Sequence, residues 1–410
     1  MANASDKARF YLEQQVPELK ELERKKIFTK EEIHSITTTR SSFEHKINAA
    51  GPTPTDFARY ASYEMNLDTL RLKRIKRLGI KSPVYTGQRR IMFILDRAVR
   101  KLPGDLGLWM QYITYARKCK AHKKLEGLFL KAVRLHPMKA ELWMYAAHYM
   151  LEEHADMTAA RAYMQRGLRF CQTKKEMWVG YGKLEMVYVS KIWARQRILG
   201  VGAFKQEKRE DEQMGGEEDK DADMLRLPTL TEEDINPSLS RDDEKDDKIA
   251  LENLNNTPVL EGAIPIAIYQ AALKHFPLTT LSNTVFAREY FLMIAQFTTT
   301  PATPKILQHI LDSLLSAAPE SVDTLICYVS MPVVLLEATA PTYPRALGEF
   351  IKRVRECEEK YPLAKSDLNK EVVKVLKPVL KVKGLDEGVR KVVESVIGKA
   401  EREGGVIVQG

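Results

Sequence analysis

Residues 176–185 read EMWVGYGKLE. Trp178, Tyr181 and Glu185 fall at i, i+3 and i+7, so a helix carries all three along one face. Such a face is either a platform for a ligand or a stitch between helices, and recurrence decides which. Trp109, Trp143 and Trp178 stand 34 and 35 residues apart, and each opens a helical stretch: LWMQYITYARK, LWMYAAHYMLEE and MWVGYGKLEM. Second helices precede or follow them, LDRAVRKLP ending at Pro103 and FLKAVRLHP at Pro137. An earlier stretch, DFARYASYEMN, sets Phe57, Tyr60 and Glu64 at the same spacing. The 109 unit keeps Trp109 and Tyr112 but has Ala116 in place of the acid, and the 143 unit keeps only Trp143 and the small residues. A set that returns at a fixed period makes the same contact each time, as helix-pair repeats do when they bury one face against the next. Phe57, Tyr60, Glu64, Trp109, Tyr112, Trp143, Trp178, Tyr181 and Glu185 are therefore read as repeat-packing residues.

Working outward, residues 1–50 form an N-terminal helical segment. In it TKEEIHSITTTRSSFEHKI has apolar positions at helical spacing, with Thr29 and Glu32 as a capping box. AGPTPTD breaks the chain, with Thr55 the expected N-cap of the next helix. Repeats are expected over 51–205. The fourth pair is interrupted: its first helix runs to about Lys205 and its second begins only at GAIPIAIYQAALKHFP. Between Lys205 and Lys248 stand 17 acidic and 8 basic side chains, a local balance of −9, which leaves +18 for the rest of a chain whose total is +9. So polar a stretch cannot bury enough apolar area to offset its ordering entropy, and 206–257 is read as a disordered acidic insertion, with LRLPTL inside it a docking peptide or a linker. Further, looser repeats are expected over 258–362. Residues 363–410 form a basic amphipathic cap that Pro378 breaks or kinks. SMPVVLLEA (330–338) is a core helix or a contact between copies.

A composition of 44% hydrophobic and 29% charged residues belongs to a folded chain, and no apolar run is long enough to span a bilayer. The opening MANASDKARFYLEQQ lacks the apolar region of a secretory signal. The four cysteines are scattered without a C-x-x-C, which favours reduced thiols over disulfides or zinc. GVGAFK lacks the third glycine and the strand of a nucleotide loop, no H-E-x-x-H occurs, and the histidines between 122 and 154 share no helix face. No enzyme, metal or cofactor is expected. The strongest polar signal is basic: eleven Lys and Arg face one acid, Asp96, between 71 and 101, and ARKCKAHKK adds a second cluster. Arg71, Lys73, Arg74, Lys76, Arg77, Lys81, Arg89, Arg90, Lys120, Lys123 and Lys124 are the candidates for contact with an RNA backbone or an acidic partner. The alternative is a solvated face with arginines spent on ion pairs between repeats. Aromatics interleave poorly with this run, which argues against stacking on single strands.

MWVGYGKLE, with LDRAVRKLP and FLKAVRLHP, resembles the half-a-TPR (HAT) repeat, whose first helix carries W-x-x-Y-x-x-x-E and whose second carries a basic–Ala–aliphatic run before a proline. The fold expectation is all-α, a right-handed α-solenoid of HAT pairs with N-terminal helices. FYLEQQVPELKELERKKIFTKEEIHSITTTRSSFEHKI followed by DFARYASYEMNLDTLRLKRIKRLGI narrows this, since it resembles the U3 small nucleolar RNA-associated protein 6 family. The resemblance implies a nucleolar scaffold subunit of the UTP-B subcomplex of the small-subunit processome. It would act in early 18S pre-rRNA processing and 40S assembly near the 5′ external transcribed spacer. Its implied partners are WD40-propeller subunits and other processome proteins, with pre-rRNA or U3 RNA backbone as a further contact. A HAT scaffold in splicing or mRNA 3′-end processing is the alternative.

Overall fold

A computed structural model describes residues 4–49, 51–80, 85–198, 261–278, 281–382 and 384–403. Lys81 and the expected acidic insertion, LRLPTL included, lie outside the described residues. Every regular element among the described residues is helical, as the repeat pattern predicts.

Packing divides the chain into two compact units, Met1–Ala146 and Ala147–Gly410. The first holds α1 (Ala4–Glu13), α2 (Val16–Arg24), α3 (Lys30–Asn48), α4 (Pro54–Leu78), α5 (Tyr85–Lys101), α6 (Leu106–Lys118), α7 (His122–Leu135) and the first half of α8 (Ala140–Glu153). Neighbours pack in sequence order, α3 on α4, α4 on α5, α5 on α6 and α6 on α7, while α1 lies against α3. Such local pairing lets each helix bury its apolar stripe on the helices beside it. The opening helices enclose a small core of Leu19, Leu22, Ile27, Phe28 and Ile36.

Helix starts follow their caps. Thr29 accepts from the Glu32 amide while Glu32 reaches back to the Thr29 amide, so the expected capping box opens α3. At α4 the N-cap is Thr53 rather than the expected Thr55. Pro54 occupies the first helical turn, where its missing N–H costs nothing, and the Asp56 carboxylate three residues on accepts from the Thr53 amide at 3.1 Å. Gly79 closes the helix at φ 63°, a left-handed conformation natural to glycine.

The second unit holds the rest of α8 and α9 (Met157–Phe170), α10 (Lys175–Ile198), α11 (Ala263–Leu273), α12 (Leu281–Ala295), α13 (Thr303–Ala317), α14 (Val322–Val334), α15 (Tyr343–Lys360), α16 (Lys365–Leu376) and α17 (Glu387–Glu403). Although 64 residues separate their ends in sequence, α10 packs directly on α11. The pair that the sequence splits is therefore closed in space, with the Trp178 and His275 rings 5.6 Å apart. Leu325, Phe350, Val372, Val393 and their neighbours form a second core beneath α14 to α17. The SMPVVLLEA segment belongs partly to that core, Ser330 and Val333 being buried. Before Pro378 the helix stops at Leu376, and a 3₁₀ turn over Val379–Lys381 follows, the break that the proline predicts.

Candidate functional site

The recurrent positions are built into the joints between helices. Phe57, Tyr60, Glu64, Trp109, Tyr112, Trp143, Trp178, Tyr181 and Glu185 are all buried. The three indoles also do the same polar work: Trp109 donates to the Pro103 carbonyl at 2.9 Å, Trp143 to Pro137 at 2.8 Å and Trp178 to Gln172 at 2.9 Å. Each acceptor lies six residues before its Trp, in the turn entering that helix. A buried ring thus fills the joint while its N–H satisfies a turn carbonyl that helix geometry leaves unpaired. His136 reaches the same Pro103 carbonyl from the next turn at 3.0 Å.

The acid at i+7 has an equally specific partner. Glu64 takes a bidentate pair from Arg40 at 2.6 and 2.9 Å, and both side chains are at most 4% exposed. Glu185 takes the same pair from Arg161 at 2.8 and 2.8 Å. Both arginines stand 24 residues before their glutamate, on the preceding helix of the repeat. Such fork-to-fork pairing suits guanidinium and fixes register as well as charge. Where the 109 unit has Ala116, the position 24 residues earlier is Met92, so acid and arginine are lost together.

In the looser repeats expected after residue 258, sequence reading left the packing positions unassigned. Asn283 donates to the Pro277 carbonyl, again six residues back, at 2.8 Å. It stands where the Trp would, which places Phe286 at i+3 and Tyr290 at i+7. Tyr290 spans to the previous helix as Glu185 does, its hydroxyl donating to the Pro265 carbonyl at 2.8 Å. The proline six residues before the position, as Pro103 and Pro137 stand six before their Trp, was the signal that could have found it. Gly182 makes room for this residue: a Cβ there would sit 2.4 Å from the Tyr290 hydroxyl oxygen.

The basic run divides by residue type. Arg71 is buried and paired with Asp68 at 2.8 Å. Arg74 grips Glu32 with two bonds of 2.7 Å, donates to the Ile27 carbonyl and lies over the Phe28 ring. That pairing and the Thr29 amide hold the Glu32 carboxyl down at about 2. Arg90 is paired with Glu18 and stands 3.7 Å from Glu64. Arg74 and Arg90 thus tie α2, α3, α4 and α5 together, whereas Arg71 is paired within α4. Lys73, Lys76, Arg77, Arg89, Lys120, Lys123 and Lys124 are exposed. Lys124 also lies over the Tyr112 ring at 5.7 Å. Lys120 holds φ 52° in the turn that ends α6. Among the described residues no cluster of His, Cys, Asp or Glu could hold a metal ion, and no helix is long and apolar enough to cross a membrane.

Helix pairs of this period, sealed by indole-to-turn bonds and Arg–Glu forks, define a helical-repeat protein of the HAT/TPR-like kind. The family resemblance read from the sequence is borne out by comparison. The family model described as U3 small nucleolar RNA-associated protein 6 matches residues 12–93. A Schizosaccharomyces pombe protein named U3 small nucleolar RNA-associated protein 6 is 38% identical over 251 residues, 59% of this chain and 51% of its own. The Mus musculus homologue of that name is 31% identical over 185 residues, covering 44% of this chain and 31% of its own. The Dictyostelium discoideum homologue is 25% identical over 299 residues, or 71% and 45%. The chain thus spans about half the length, or less, of the curated relatives it matches.

Proposed function

We propose that this chain is a non-catalytic scaffold of the small-subunit processome, acting in the nucleolus within the UTP-B subcomplex. In that role it supports early 18S pre-rRNA processing and 40S assembly through protein contacts near the 5′ external transcribed spacer, with WD40-propeller subunits among its partners. The observation that carries the reading is the coincidence of the family match over residues 12–93 with the Arg–Glu and Arg-locked joints of the same segment. Extended helix-pair surfaces of this kind hold other proteins, and buried charge spent on register suits a fixed support. Affinity purification of the tagged full chain, read by mass spectrometry and RNA sequencing, tests it. Recovery of WD40 subunits with U3 RNA is expected. Recovery of a splicing or 3′-end processing machine without U3 RNA would overturn it.

A second reading, direct contact with an RNA backbone, is favoured by the exposure of Lys73, Lys76 and Arg77 along one face of α4. Lysines on flexible stems are the point charges that phosphate contact uses. Reversing these three to Glu should lower RNA crosslinking to the chain; unchanged crosslinking would remove the idea.

A further inference from the structure

The three-dimensional arrangement gathers aromatic rings that the sequence keeps apart. Phe10 and Tyr11 of α1 lie 5.7 Å apart, ring to ring, and Tyr11 lies 5.6 Å from Phe93 of α5. Phe10 is 57% exposed and Phe93 44%, unusual for rings this large. Arg97, one turn beyond Phe93, sets its guanidinium carbon 4.0 Å from the Tyr11 centroid and 5.4 Å from that of Phe93. Two bonds to the buried Glu44, at 3.0 and 2.9 Å, hold it there. On the same helix face Arg100 and Lys101 follow, at i+7 and i+8 from Phe93.

Beside Arg97 opens a cleft of about 230 Å³, lined by Ile47, Asn48, Phe57, Arg97, Arg100 and Lys101. No carboxylate lines it. Lys101 donates to the Ile47 carbonyl at 2.6 Å, which offsets the negative carboxy end of α3. Its ammonium sits below the usual lysine pKa, through burial first and then through the nearby cations Arg97 and Lys7. Arg100 is 75% exposed and paired with Asp96 on its own helix, a surface contact weak enough to exchange.

We propose that Phe10, Tyr11 and Phe93 form a stacking platform for an unpaired stretch of RNA, whose backbone phosphate enters the adjoining cleft of Arg97, Arg100 and Lys101. Rings and cations side by side are what sequence-tolerant single-strand sites combine. An acidic peptide would take the cations and leave the rings in water, and an apolar helix would do the reverse. The proposal rests on the reading of direct RNA contact and names a different surface for it, on α1 and α5 rather than the lysine face of α4.

The test is fluorescence anisotropy of the full chain with a labelled oligouridylate of about ten nucleotides and with a duplex of equal length, a span within ordinary site sizes. Phe10→Ala with Phe93→Ala should weaken the single strand about tenfold and the duplex far less, the usual contribution of stacked bases. Arg100→Glu, on a side chain too exposed to unfold the helix, should weaken the single strand as well. Thermal unfolding by circular dichroism checks each variant. If single-strand binding survives both changes but falls on reversal of Lys73 and Lys76, RNA contact stands and the stacking site is wrong. No binding to either RNA overturns both readings, and capture of a polyglutamate peptide through Arg100 in place of RNA overturns this one.

Discussion

A tryptophan at the head of a repeat helix does two things that no aliphatic residue can combine. It fills a joint between helices and donates to a carbonyl six residues back, so burial and hydrogen bonding support the same turn. The apolar half of this was legible in the recurrence of Trp109, Trp143 and Trp178, whereas the polar half depends on a backbone atom that no side-chain pattern encodes. The same limit explains Arg74. Its neighbours in sequence are basic, and only the fold brings Glu32 to it from 42 residues away. Because the Glu32 carboxyl is held at about 2 from an ordinary 4.5, its contribution to stability is complete above about 4.5 and is lost as pH falls through about 2. Glu32→Gln should therefore lower the melting temperature at pH 7, and the gap from the parent protein should narrow steadily as pH drops from 4.5 towards 2. A gap that is constant across that window would mean that the pair carries no net charge-dependent stabilisation.

Helix pairs, the next scale up, were legible almost throughout because their apolar spacing is local. The joints between pairs were legible only in part. The acid at i+7 stood out in DFARYASYEMN and MWVGYGKLE, but its arginine lies in another helix and carries no periodic mark of its own. Once Arg40–Glu64 and Arg161–Glu185 are seen, a spacing of 24 becomes a rule, and Met92 with Ala116 becomes its apolar version within the same chain. That comparison yields a prediction. Glu64→Ala strands a buried guanidinium whose Nη1 already lacks a partner, which should cost about 3–5 kcal/mol, the usual range for breaking a buried pair from one side. Arg40→Met with Glu64→Ala, the combination that the 109 unit carries, should recover most of that loss, since replacing both charges by packed apolar groups is often neutral. Urea denaturation of the two single variants and the double variant closes the cycle. Losses that simply add would show that the pair is not coupled.

Across the whole chain, each of the two compact units has its own core and its own ion pairs. Among the described ion pairs of Ala147–Gly410, that of longest reach in sequence is made by Arg288, which joins α12 to Asp323 of α14 at 3.2 Å and to Glu371 of α16. Sequence gave no hint of it, since its partners stand 35 and 83 residues away and neither belongs to a repeat signature. Removing it leaves each acid a second partner, Thr284 for Asp323 and Lys374 for Glu371. Arg288→Ala should thus cost only about 1–2 kcal/mol, towards the middle of the ordinary range for point changes. Its location matters more than its size. In an array built of neighbour contacts, a weakened joint opens locally before the chain unfolds as a whole. Hydrogen exchange read by mass spectrometry should speed up in α12, α14 and α16 and stay unchanged in α3 to α6. Equal acceleration in both units would mean that they unfold as one cooperative body and that Arg288 stabilises all of it.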